Sequence, residues 1–254
     1  AASAHGAIWL FDRDGEYRPR QLFSEQRIGA NLPAIIAAVG FSPNSQTVVS
    51  IEYPALRCEF NIASLDANPN GQCAPIALPA ELASEDARLS QAVISEDGAQ
   101  LAILVKNSLW VGPMDDFAAQ ARQVLHEPVS AMAFSPSGRY LAVGGAADMR
   151  IFDLQSDTPP VIYEFATPLG IESFAFDAQE WQVGYVTGLG TAGVVTIGWG
   201  ALVQPLPQAE GPITSVALVP DTDRFGLQLA VGHASGWAQL WRLDLAEGIV
   251  EARA

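Results

Sequence analysis

One strand–turn–strand pattern is written several times along this chain, and a repeat of that kind limits the folds open to it. Its clearest copy runs from Val129 to Leu154. Small and apolar residues alternate over 130–134, as in a strand with one buried face. Ser135-Pro136-Ser137-Gly138 then reads as a turn, because Pro sets φ and Gly accepts a positive one. Residues 140–144 form a short buried run, 144–148 turn again, and 149–154 make a third strand. Beyond Pro159-Pro160, residues 161–165 supply a fourth.

The pattern recurs over 37–41, 47–51 and 57–62, and over 92–94, 100–105 and 108–111. Downstream it returns over 173–176, 181–187 and 193–198, then over 214–219, 227–232 and 237–243, with 249–253 as a last strand. An apolar residue stands just before each first turn: Phe41, Ile94, Phe134, Phe176 and Val219, at spacings of 53, 40, 42 and 43 residues. A polar loop over 65–72 absorbs the long first interval. A period of about 40–45 residues is that of a four-stranded propeller blade.

The segment Ala230-Val-Gly-His-Ala-Ser-Gly-Trp-Ala-Gln-Leu-Trp241 resembles the second turn and third strand of a WD40 repeat, ending on that family's signature Trp. Phe60, Phe152, Val111 and Ile197 take its place in the other units. The Asp that follows survives as Asp153, becomes Asn61, and is Arg242 after Trp241. The family's Gly-His pair is missing, which makes this a degenerate, bacterial-type version. The resemblance implies an all-β chain: a β-propeller of four-stranded blades forming a single domain over 1–254. Five repeats are clear. Residues 3–12 and 21–24 add an incomplete N-terminal blade, so the chain is read as starting inside a blade and six blades are expected, ahead of a fragment of a larger propeller or a five-bladed ring with an appended hairpin. A four-stranded sheet with two apolar faces cannot bury both alone, whereas stacking blade on blade does so and protects the edges. Small first strands then belong innermost, with Phe11, Phe60, Phe152 and Trp241 in the wider space between blades.

Charge narrows the partners. Thirteen basic residues, of which Lys106 is the one lysine, face 28 acidic ones, for a net charge of -15. That field repels phosphate backbones and anionic membranes, so neither nucleic acid nor membrane insertion is expected. The longest apolar stretch, 32–41, falls short of the roughly 20 residues of a membrane span. Cys58 and Cys73, 15 residues apart, are either a disulfide or two ordinary thiols. The cytoplasm is favoured; a bonded pair would place the protein in the periplasm or outside the cell.

Catalytic patterns are missing. His5, His126 and His233 fall in different units without metal-ligand spacing. The glycines of 188–193 join two strands and not a strand to a helix, which removes the phosphate-cradling geometry. No Gly-x-Ser-x-Gly elbow is present, and Asp115-Asp116 and Glu96-Asp97 read as exposed turn carboxylates. No catalytic residue, cofactor or metal is expected, and the chain is read as a non-enzyme.

The resemblance also implies where partners dock, since fourth-to-first and second-to-third connections share one face in this family. By position that face holds His126, Glu172 and Thr214 with Glu127, Leu169 and Pro212, and Asp148, His233 and Trp237 with Tyr53, Lys106 and Leu189. Trp237 replaces a residue usually small and polar: it is either an exposed interface anchor or a side chain packed against the neighbouring loop. The implied function is a non-catalytic scaffold for protein partners, or a subunit of a larger complex. The alternative is a regulatory or sensor module of a larger bacterial signalling protein; a propeller hydrolase comes behind both.

Overall fold

The structure is a computed structural model. It describes residues 8–10, 20–24, 36–42, 44, 46–53, 55–65, 70–82, 89–156, 158–167, 170–197, 203–205, 211–220, 227–244 and 248–253. The chain divides into two compact units, Ala1–Glu127 and Pro128–Ala254.

In the first unit, β1 (Ile8–Leu10), β2 (Arg20–Ser24), β3 (Ile36–Phe41), β4 (Thr47–Glu52), β5 (Leu56–Asn61) and β6 (Asn70–Pro75) form one sheet, ordered β1-β2-β6-β5-β4-β3. Strands β3 to β6 are an antiparallel meander. The N-terminal pair, expected as an incomplete blade of its own, is hydrogen bonded into this sheet. β2 runs parallel to β6 through Phe23↔Asn70 and Ser24↔Gly71. The physical reason is the outer edge of β6, whose open N–H and C=O groups accept a further strand. β6 itself begins inside the loop expected over 65–72. Cys58 and Cys73 stand opposite each other on β5 and β6 and are joined as a disulfide, with Cα atoms 4.1 Å apart.

A second sheet contains β7 (Leu89–Ile94), β8 (Gln100–Val105), β9 (Ser108–Pro113) and β10 (Arg122–His126), ordered β10-β9-β8-β7. A 3-10 turn, Met114–Asp116, and a one-turn helix α1 (Phe117–Gln120) separate β9 from β10. The period of two decides what β4 buries on each face. Val49 and Ile51 pack with Leu101, Ile103 and Val105 of the second sheet. Val48 joins Phe60, Cys58, Ile8 and Leu22 on the other side.

The second unit has three four-stranded antiparallel sheets in chain order. They are β11 (Ala131–Phe134), β12 (Tyr140–Gly144), β13 (Asp148–Asp153) and β14 (Val161–Ala166); β15 (Ile171–Phe176), β16 (Gln182–Thr187), β17 (Ala192–Thr196) and β18 (Val203–Pro205); and β19 (Ile213–Pro220), β20 (Leu227–His233), β21 (Ala238–Asp244) and β22 (Gly248–Arg253). First strand meets first strand between neighbouring sheets: β3 with β7 in the first unit, β11 with β15 and β15 with β19 in the second. Small residues permit that approach. A Cβ on Gly144 would lie 2.5 Å from the Cβ of Ile171 in the next sheet. Val183 and Tyr185 of β16 bury against Met149 and Ile151, while Val186 packs with Leu229, Val231 and Trp241. Phe60, Phe152 and Trp241 are buried as expected, and Phe11 lies outside the described residues.

Register corrects three repeat assignments. Phe60, Phe152 and Trp241 face Val48, Leu141 and Leu229, which on the first strands face Phe41, Phe134 and Leu218. In the other two sheets the same register selects Gly112 (through Leu101) and Val195 (through Val183), not Val111 and Ile197. In the last sheet Leu218, not Val219, faces Leu229.

Candidate functional site: a laced loop rim on the second unit

The sheets of the second unit end in loops that are tied to one another by backbone hydrogen bonds. Within the β12–β13 loop Gly145 N–H donates to Asp148 O, and Thr167 N–H of the next connection donates to Ala147 O. Gly188 N–H then reaches back to Gly170 O at 2.8 Å. Ile213 N–H donates to Gly190 O at 3.0 Å, and Ala234 N–H to Pro212 O at 3.1 Å. The lacing needs glycine at position 190. Its φ is +71°, and a Cβ there would sit 2.6 Å from the Cβ of Pro212. Of the twelve residues assigned to the partner face, seven fall on this rim: Asp148, Glu172, Leu189, Pro212, Thr214, His233 and Trp237.

They do not play equal parts. Trp237 is 71% exposed, and Leu189, at the neighbouring β16–β17 turn, is 58% exposed. Two large apolar side chains thus face solvent on laced loops. His233, expected to face a partner, is only 6% exposed. Its Nδ1 lies 3.2 Å from the Gly211 carbonyl oxygen and its Nε2 3.3 Å from the Gln239 side-chain amide. His233 N–H also donates to Trp237 O at 2.8 Å, so this residue shapes the turn that carries the indole. Gly211 and Gln239 carry no motif that would single them out in the sequence; the histidine ring reveals them. Thr214 turns its hydroxyl inward to Gly232 O, at 3.2 Å. The Asp148 carboxylate is paired with Arg150 at 2.7 Å, and Arg150 also holds Glu164. Glu172 is exposed. His126 belongs to the first unit, where its Nδ1 lies 2.7 Å from Ser108 Oγ. Leu169 and His5 lie outside the described residues.

The opposite ends of the first two sheets of this unit are joined differently. The Glu180 carboxylate accepts both the backbone N–H and the hydroxyl of Ser137 in the preceding sheet. Partial burial pushes its carboxyl up, but the Ser137 hydrogen bonds outweigh this and hold it below the ordinary value. Arg139 grips Asp153 through Nε and Nη2, the latter at 2.7 Å, and this holds the Asp153 carboxyl low. These charges are committed to structure. Among the described residues, no group of three or more His, Cys, Asp or Glu is placed to hold a metal ion.

The repeated four-stranded sheets and their register define the class of fold, a β-propeller, and one of its repeats resembles the WD40 type. Residues 120–153 match the model of the family described as "WD domain, G-beta repeat". That stretch takes in the last strand of one sheet and the first three of the next. Among solved structures, the chain is similar to the β-propeller domain of Cps50 (Swd1) from Myceliophteria thermophila. Identity is 16% and the TM-score 0.68, covering 92% of this chain and 75% of that one. It is also similar to a chain in the crystal structure of a mitotic checkpoint complex, at 14% identity and TM-score 0.67, covering 98% of this chain and 71% of that one. At such identities the likeness shows the fold alone. No curated protein sequence matches the chain. No helix among the described residues is long and apolar enough to cross a membrane.

Proposed function

We propose that this protein is a non-catalytic scaffold that holds a protein partner on the laced rim of its second unit. The observation that carries the reading is Trp237, 71% exposed on a turn fixed by His233 and Pro212, with Leu189 exposed on the adjoining turn. Large apolar side chains exposed on adjoining turns are a surface that a partner can cover, and Trp is prominent among interface residues that dominate binding energy. A turn closed on itself and tied by Ala234 N–H to Pro212 O loses little freedom on association, which favours affinity. The solved structures it resembles include one described as a complex, which agrees with a binding role.

Replacing Trp237 with a benzophenone amino acid and irradiating in the native extract tests this reading. The expected result is a discrete crosslinked protein, lost when the benzophenone is moved to Ser156, which sits on the β13–β14 connection. No crosslinked protein, or the same products from position 237 as from position 156, would reject the rim as a docking site.

A further inference from the structure

A cavity of about 520 Å³ lies entirely within the first unit, between β5–β6 and the helical turn after β9. One wall is Arg57, Glu59 and the chain from Gln72 to Ala77; the other is Met114 to Ala118. Met114 and Phe117 are buried, and Ile76 packs into the same apolar cluster, so part of the lining is greasy. Its charged members are three carboxylates (Glu59, Asp115 and Asp116) against the single guanidinium of Arg57. Their internal bonds use one oxygen each. Arg57 Nη1 donates to Asp115 Oδ1 at 2.8 Å, Arg57 Nη2 pairs with Glu59 Oε1 at 2.7 Å, and Gln120 Nε2 donates to Asp116 Oδ2 at 2.8 Å. Among the described residues Glu59 Oε2, Asp115 Oδ2 and Asp116 Oδ1 have no hydrogen-bond partner, and Asp115 is 90% exposed.

We infer that this groove takes an arginine side chain from an extended segment of a protein partner. The inference rests on the protein-binding reading above and names a second contact within it. Three features select arginine. The lining carries an excess of negative charge, within a chain whose net charge is -15. The acidic groups do not converge as a metal-binding set, which disfavours a compact ion and suits a planar guanidinium with five spread donors. The apolar lining from Met114, Phe117 and Ile76 matches the aliphatic stem behind that guanidinium.

The test uses the whole chain in oxidising buffer and the synthetic peptide Ac-Ala-Ala-Arg-Leu-Ala-Ala-NH2, with a second peptide carrying citrulline in place of arginine. Binding is followed by amide chemical shifts. The arginine peptide is expected to shift amides around 57–59, 72–77 and 114–118, and citrulline to weaken it at least about tenfold, since it keeps the shape and loses the charge. The double variant D115N/D116N should weaken the arginine peptide about as much and lower the salt dependence. W237A should leave it unchanged, which separates this groove from the rim. Equal affinity for the two peptides, no binding at millimolar peptide, or an unaltered affinity in D115N/D116N would overturn the inference.

Discussion

Gly71 shows how a single position can tie two strands together. The ring of fully buried Phe60 lies over it, so that a Cβ would meet the ring at 2.5 Å. Gly71→Ala is expected to destabilise the protein by about 1–3 kcal/mol through overpacking, measured by urea unfolding. Coupling to Phe60 should make the Gly71→Ala cost smaller in a Phe60→Leu background. Asp153 makes a pH-dependent contribution. Its carboxyl titrates below the ordinary 3.8 because Arg139 hydrogen bonds it. A group with a lowered folded-state pKa stabilises the fold above its unfolded value and loses that contribution as pH falls through the folded one. Asp153→Asn should therefore lower the melting temperature at neutral pH, and the gap to wild type should close as pH drops below about 4. At this scale the sequence reading went astray where the aromatic anchor was missing. Phe60, Phe152 and Trp241 were legible because bulk marks their register. Gly112 was not, since its place is covered by Ala121 from beyond α1, at 2.7 Å from a would-be Cβ. His233 looked like a surface residue because a ring near a turn usually is one; Gly211 and Gln239, which hold its two nitrogens, are 22 and 6 residues away.

Among elements, the strands were the most legible part, because alternation and turn residues mark both ends of each. The expected strand over 140–144 coincides with β12, and that over 100–105 with β8. β6 escaped notice because Asn, Gly and Gln open it, residues that read as loop, and because its pairing to β5 and β2 supplies the order its own propensity lacks. The Cys58–Cys73 bridge clamps that same strand. The bridge closes a loop of 15 residues, for which the chain-entropy estimate is about 3 kcal/mol. A Cys58→Ala/Cys73→Ala variant is expected to lose stability of that order in denaturant melts. The difference should vanish when both proteins are compared under full reduction. The arginine groove was invisible in the sequence, since Arg57 and Asp115 are 58 residues apart and Asp115-Asp116 alone reads as a solvated turn.

For the whole molecule, the recurrence of one blade-sized unit carried the fold class, and the position of loops within that unit brought seven assigned residues to one rim. What recurrence could not convey is which of them face outward, because that depends on the hydrogen bonds between loops. Trp237 lies outside the core, so Trp237→Ala is expected to change folding stability by no more than about 0.5 kcal/mol. Binding should respond far more, by about 2 kcal/mol, or roughly thirtyfold in affinity, as for a central anchor. Quantitative affinity capture from the native extract, run in parallel with wild-type protein and the folded W237A variant, is the most direct test. The expected result is a defined protein retained by wild type and depleted at least tenfold on W237A. Identical retention by both, or a wild-type rim that retains nothing, would contradict the assignment of this surface as a docking platform.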